Sequence, residues 1–342
     1  MNSHPWRLTF DTNPDDCNLK CLMCEEHSPY SSSQEERKAC GQPPRRMDIR
    51  VLEQVLEELK DHPPRELIPS TMGEPLLYPH FDRILGLCRK FGIRLNLTTN
   101  GTFPRGGASE WAHKIVPVGS DVKISFNGTR AEVQEEIMRN SRMEAVLDNL
   151  RAFVAIRDEH AAHGGNYCSV TLQATFLEAN LAELPRIVRL AAELNVDRVK
   201  GHHLWVHFRE MQDQNLRRNR ESVQRWNDVV VRCREIAANH VRPGGSPVKL
   251  ENFHPLVFNA GQQVDPRSEC PFLGQEAWVN HAGRFDPCCA PDELRKSLGS
   301  FGTVQERGFD SIWRGAEYQA LVAGYKQRPL CQTCLMRRMP DA

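Results

Sequence analysis

Three cysteines near the start of the chain share one short loop, Cys17-Asn-Leu-Lys-Cys21-Leu-Met-Cys24, with C-x3-C-x2-C spacing. Thiolates this close can bind three irons of a [4Fe–4S] cube and leave the fourth iron without a protein ligand, whereas a closed electron-transfer cluster takes four cysteines. An open coordination position is what a reacting centre needs, as in catalytic zinc sites. Zinc binding and three structural cysteines are the other readings the loop alone allows. A second group lies far downstream: Cys270, twelve residues, Gly283, four residues and Cys288, then Cys331-Gln-Thr-Cys334. Four cysteines would ligate a cluster completely and make it an electron carrier; a zinc knuckle is the alternative. Cys289 is surplus, open to reading as an alternative ligand, a hydrogen-atom donor or a packed thiol. Cys40, Cys88, Cys168 and Cys233 are scattered and read as inert. Twelve cysteines grouped in this way bind metal or do chemistry more often than they form disulfides in a reducing compartment.

The elements that must position these groups alternate along the chain. Strand-like stretches fall at 6–11, 66–69, 94–98, 122–126, 169–176 and 198–204, short and apolar or alternating. Between them run amphipathic helical patterns at 47–60, 81–92, 130–139, 142–157, 181–194 and 222–238, the first with Asp48 as N-cap and the second ending on Gly92. Six strand–helix units predict an α/β fold whose parallel sheet curls into a partial or full barrel, with chemistry at the C-terminal strand ends. After a connector at 251–269 the pattern changes to a hairpin at 276–287 and a final helix at 310–326. Residues 1–250 and 255–342 therefore read as a large and a small domain. Lys+Arg and Asp+Glu are both 44, so no general pull toward nucleic acid or an anionic membrane is expected. No apolar run reaches membrane length and the N-terminus lacks a signal-peptide pattern, which predicts a cytoplasmic protein.

The cysteine loop resembles the signature of the radical S-adenosylmethionine (SAM) superfamily, and further segments match in order. Ser70-Thr71-Met72-Gly73-Glu74-Pro75 resembles the family's G-G-E-P loop, with Met72 in place of the first glycine. Thr98-Thr99-Asn100-Gly101 resembles its T-N-G segment, and Ser125-Phe126-Asn127-Gly128 its S-x-D-G segment, with Asn127 where an acid is frequent. Each is also a plausible turn by itself. Met23 stands where the family usually carries an aromatic residue. The C-x12-G-x4-C…C-x2-C set resembles the auxiliary-cluster domain of the SPASM/twitch subfamily. The chain ends too soon after Cys334 for a second auxiliary site, so the one-cluster twitch form is the better match.

The resemblance implies a partial (β/α)6, TIM-like barrel and a small C-terminal α+β twitch domain. It implies a SAM-binding [4Fe–4S] cluster on Cys17, Cys21 and Cys24, and an auxiliary [4Fe–4S] cluster on Cys270, Cys288, Cys331 and Cys334. SAM contacts fall on Met23, Gly73, Glu74, Thr98, Asn100, Ser125, Asn127 and, by position, Gln173. A flavodoxin- or ferredoxin-type electron donor is implied as partner. Lys200, His202, His203 and His207, after the sixth strand, are candidates for the substrate side, although a partly exposed histidine-rich loop accounts for them equally. With Cys17 only sixteen residues from the start, no leader-binding domain is expected before the barrel, and a small molecule is expected over a peptide. Among small-molecule members, two likenesses stand out, to enzymes that oxidise aminocyclitols and to enzymes that decarboxylate sugar-nucleoside acids such as cytosylglucuronic acid. The reading leans to the latter, with Lys200 or Arg209 as positional candidates to grip the carboxylate.

Overall fold

The computed structural model describes residues 3–258, 264–334 and 336–339; five residues of the connector, 259–263, lie outside them. Eleven strands occur among the described residues: β1 (Arg7–Phe10), β2 (Lys20–Cys21), β3 (Glu66–Ile68), β4 (Arg94–Thr99), β5 (Gly119–Ser125), β6 (Met138–Arg139), β7 (Ser169–Phe176), β8 (Arg198–His203), β9 (Lys249–Glu251), β10 (Glu276–Val279) and β11 (Phe285–Asp286). Nine of them form one sheet in the order β11-β10-β1-β3-β4-β5-β7-β8-β9. Every pair in that sheet is parallel except the β10–β11 hairpin.

Strand composition explains why the sheet encloses a polar interior. In β7 the outward Val170, Leu172, Ala174 and Phe176 are buried, and they alternate with Ser169, Thr171, Gln173 and Thr175. The same alternation separates Leu8 and Phe10 from Arg7 and Thr9 in β1, and Val122 and Ile124 from Asp121, Lys123 and Ser125 in β5. Side chains alternate faces along a strand, so one face is apolar and covered by helices while the other is polar. Helix Ile49–Glu58 shows how the cover is built. Asp48 caps it through the Arg50 N–H, and Val51, Leu52, Val55 and Leu56 are buried on one stripe. Helix Phe81–Phe91 ends on Gly92 at φ 67°, a left-handed conformation that glycine adopts without steric cost.

The sheet curls rather than lying open. Glu276 of β10 and Glu251 of β9, near opposite ends of the strand order, line one cavity, and Arg198 of β8 reaches across β7 to Asp121 of β5 at 2.6 Å. The result is a partial, TIM-like α/β barrel. The expected six strands correspond to β1, β3, β4, β5, β7 and β8, but helices Ser33–Ala39 and Gly107–Ile115, and the short Asp292–Arg295 and Pro329–Gln332, went unforeseen. The expected final helix is broken at Gly315 into Phe309–Arg314 and Ala316–Gly324. The sheet also passes the predicted domain boundary. Residues Glu276–Val279 pair with β1, so the C-terminal segment completes the barrel's edge.

Candidate active site

The first cysteine group leaves the C-terminal end of β1 and is fastened on three sides. β2, which contains Cys21, pairs with β6, and the Leu22 N–H donates to the Ile137 carbonyl at 2.9 Å. Beneath it Cys17, Cys21, Leu22 and Met23 pack on an apolar patch of Leu19, Ile137, Met138, Leu177 and Met211. On the third side the Ser70–Pro75 loop is stitched to the residues before Cys17. Asn13 donates to the Glu74 carbonyl at 2.9 Å and the Glu74 N–H to the Asp16 carbonyl at 2.7 Å. Gly73 sits at φ 76°, and a Cβ there would fall 2.3 Å from the Asn13 carbonyl oxygen, so this close approach requires glycine.

Two of the three sulfurs accept N–H hydrogen bonds. Cys17 Sγ receives Leu19 N at 3.4 Å and Asn100 Nδ2 at 3.8 Å, and Cys24 Sγ receives His27 N at 3.4 Å. Burial pushes the Cys17 thiol up to about 12, and burial with the neighbouring Cys24 and Cys17 thiols raises Cys21. A bound cation reverses that balance, because coordinating thiols lose their protons outright. Among the described residues, no three His, Cys, Asp or Glu side chains converge tightly enough to hold a single metal ion. A cube carries its terminal sulfurs on separate irons, so its ligands stand further apart.

The predicted contacts at the strand ends divide into free and committed side chains. Thr98, Ser125 and Gln173 are half-buried, with no side-chain hydrogen bond among the described residues, and Ser125 and Gln173 are register partners on β5 and β7. They are available to a ligand. Glu74 is committed: its carboxylate accepts from Thr99 Oγ1 at 2.8 Å, Asn100 N at 2.7 Å and Leu76 N at 3.2 Å, and burial pushes it up to about 7. Asn127 is likewise spent on Thr175 N and Asn180 Nδ2. Asn100 reaches the cysteine loop itself, through Cys17 Sγ and Asn18 Oδ1.

The histidines separate too. His202 lies 3.4 Å from Thr175 Oγ1 on the interior face, and burial lowers it to about 4, so it is neutral at pH 7. His203 points the other way, against Phe176 and Trp226, lowered to about 3 by burial and the nearby Arg217. His207 is half-buried near Glu25. Lys200 is paired with Glu251 at 2.8 Å, and Arg209 is exposed.

The second group is built on the β10–β11 hairpin and the C-terminal helices. Gly283 makes the hairpin turn at φ 81°, where a Cβ would collide with the Gln305 amide. Tyr325 Oη accepts from Cys270 N at 3.0 Å, and Arg337 donates to the Cys331 and Ser268 carbonyls, tying the two C-terminal stretches together. Cys270, Cys288, Cys331 and Cys334 all line a cavity of about 600 Å³. Its opposite wall is the barrel interior, with Arg7, Lys200, His202, Glu251 and Glu276. Arg7, Glu251 and Glu276 escaped sequence reasoning. Their signal was charge at alternate positions of otherwise apolar strands.

The radical SAM superfamily model matches residues 14–162, and the SPASM iron–sulfur cluster-binding domain matches residues 270–335. The chain carries a radical SAM domain followed by a SPASM domain. A curated relative, the tungsten-containing aldehyde ferredoxin oxidoreductase cofactor-modifying protein of Pyrococcus furiosus, is 22% identical over 95% of this chain and 86% of its own length. The 7-carboxy-7-deazaguanine synthase of Hyperthermus butylicus is 30% identical over 33% of this chain and 44% of that protein. Among solved structures, Streptococcus suis SuiB bound to S-adenosylmethionine superposes with a TM-score of 0.66 at 14% identity, covering 97% of this chain and 72% of SuiB. anSMEcpe with bound AdoMet gives 0.65 at 14% identity, covering 97% and 88%. The two matched domains make the protein a radical SAM enzyme with a SPASM domain, with SAM, a SAM-binding [4Fe–4S] cluster and an auxiliary iron–sulfur cluster as cofactors. Its thiols, the N–H donors around them and the free polar side chains of Thr98, Ser125 and Gln173 on β4, β5 and β7 fit those groups.

Proposed function

We propose that this enzyme abstracts hydrogen from a carbon of a small polar molecule, of the sugar, cyclitol or nucleoside class, held in the barrel interior beside its C-terminal cysteine group. The observation that supports this is the cavity of about 600 Å³ shared by barrel-interior side chains and the C-terminal thiols. In this reading residues 1–250 form the barrel unit and 255–342 the auxiliary unit. Cys17, Cys21 and Cys24 hold the SAM cluster; Cys270, Cys288, Cys331 and Cys334 hold the auxiliary one. When bound, the first cluster with SAM supplies a 5′-deoxyadenosyl radical. Thr98, Ser125 and Gln173 offer hydrogen bonds to the cofactor, with Met23 packing beside it and backbone atoms around Gly73 facing it. The apolar patch under the cysteine loop keeps water out. The neutral His202 and the Lys200–Glu251 pair face substrate hydroxyls or amines.

The interior cations bear on the outcome. Lys200 is paired with Glu251, and Arg7 with Glu66 and Glu276. A substrate carboxylate would have to displace one of these partners, which favours dehydrogenation of a neutral or amino-bearing carbon over decarboxylation of an acid. The cofactor-modifying relative, matched over nearly its full length, supports a low-molecular-weight substrate. A peptide substrate is the second reading, favoured by the fold likeness to SuiB, whose structure with the precursor peptide SuiA is known.

The test is anaerobic reconstitution followed by reduction with a flavodoxin- or ferredoxin-type donor. About eight irons per chain are expected for two cubes, with 5′-deoxyadenosine formation stimulated by sugars, cyclitols or nucleosides and abolished by Cys17→Ala, Cys21→Ala or Cys24→Ala. A colourless, zinc-loaded protein, or full activity in those variants, overturns the cluster assignment. Stimulation by peptides alone overturns the substrate class.

A further inference from the structure

Five thiols, not four, line the cavity between the barrel and the C-terminal segment. The fifth is Cys289. Residues 287–290 form a continuous bend, so two consecutive side chains, Cys288 and Cys289, reach the same space. The five differ in setting. Cys331 is buried in the core, Cys270 and Cys288 are partly buried against it, Cys334 is intermediate and Cys289 is exposed. All five line this one cavity together with Glu276 of β10 on the barrel side.

Four irons of a cube accept four protein thiolates, so one of the five is left over. We propose that Cys289 is a ligand-competent reserve thiol, free in the resting protein and able to take the fourth position at the auxiliary cluster when Cys334 is removed. The geometry favours Cys334 as the exchangeable partner for a local reason. Cys334 follows a short four-residue helix, Pro329–Gln332, and its sulfur receives no hydrogen bond among the described residues. Cys270, by contrast, is held by the Tyr325 hydroxyl and by the Leu273 N–H on its own sulfur at 3.5 Å. With the cluster bound, the exchange would be a ligand substitution: one Fe–S(Cys334) bond would be replaced by one Fe–S(Cys289) bond, the proton of the incoming thiol would pass to the departing thiolate, and no electrons would be transferred.

The inference rests on the four-thiol assignment proposed above, and one experiment separates the two. In a background with Cys17, Cys21 and Cys24 all changed to Ala, only the auxiliary cluster remains, and about four irons per chain are expected. No iron in that background defeats the four-thiol assignment itself. Given iron there, Cys289→Ala and Cys334→Ala are each expected to keep a four-thiolate cluster, with altered Mössbauer and EPR parameters in Cys334→Ala only, while Cys289→Ala/Cys334→Ala, left with three thiols, loses iron or shows the distinct Mössbauer site of an open iron. Iron loss or an open-iron site in Cys334→Ala equal to that of the double variant overturns the reserve role, provided circular dichroism shows both folded. Alkylation of the unsubstituted holoprotein, read by mass spectrometry, covers a folding failure. Cys289 is expected to label while Cys270, Cys288, Cys331 and Cys334 are protected. Protection of Cys289 with labelling of another of the five overturns the proposal.

Discussion

At the scale of single residues the site is governed by which polar atoms are already occupied. Asn100 resembles a cofactor contact by sequence, yet its amide donates to Cys17 Sγ and Asn18 Oδ1, and its carbonyl accepts from Thr102. Hydrogen bonds to cluster sulfurs favour the more electron-rich reduced state. Asn100→Ala is therefore expected to lower the potential of the first cluster. A differential of about 1 kcal/mol corresponds to roughly 40 mV for one electron, measurable by EPR-monitored titration. An unchanged potential would remove Asn100 from that role. Residue type and position were legible in the T-N-G spacing. The partner was not, because Cys17 and Asn100 meet only when the cysteine loop folds over the end of β4.

Among the elements, β8 shows how neighbouring side chains acquire opposite duties. His202 and His203 are adjacent in sequence, but strand alternation turns one toward the cavity and the other into the aromatic cluster of Phe176, Trp226 and Phe253. Burial lowers both below the usual histidine value of 6.5, to about 4 and about 3. The unfolded chain therefore binds these protons first, so stability is fully present above pH 6.5 and falls as the pH drops from there toward 4. His203→Phe removes one of the two protons and suits the aromatic pocket. It is expected to flatten the decline in Tm between pH 7 and pH 5 while leaving SAM cleavage intact. A pH slope identical to the unsubstituted protein would show that His203 contributes nothing to it. In the sequence the histidines form one cluster, since periodicity gives the alternation but not which face is the lumen.

On the scale of the whole molecule, the C-terminal segment is structural as well as chemical. Glu276–Val279 pairs along the full length of β1, Arg7 is held by Glu276, and the Phe309 N–H donates to Glu58 on the barrel's outer helix at 2.7 Å. A chain ending at residue 258 would leave β1 as an unpaired edge and Arg7 without one of its carboxylates. Such a chain is expected to aggregate or melt without cooperativity, as size-exclusion chromatography and calorimetry would report. A soluble barrel with the parent Tm would show that the two parts fold independently.

The cysteine spacings, the glycines at 73 and 283 and the alternating strands were readable from the sequence alone, because ligand loops, tight turns and strand periodicity are local properties of the chain. They determined the kind of cofactor and the class of barrel. Only the tertiary structure decided that β10 joins β1, that Glu74 and Asn127 spend their side chains on the protein, and that five C-terminal thiols share a cavity with Arg7, Lys200 and Glu251. Those outcomes depend on parallel pairings and ion pairs between residues far apart in the chain, as with the 269 positions separating Arg7 from Glu276, and no local pattern encodes which distant partner will arrive.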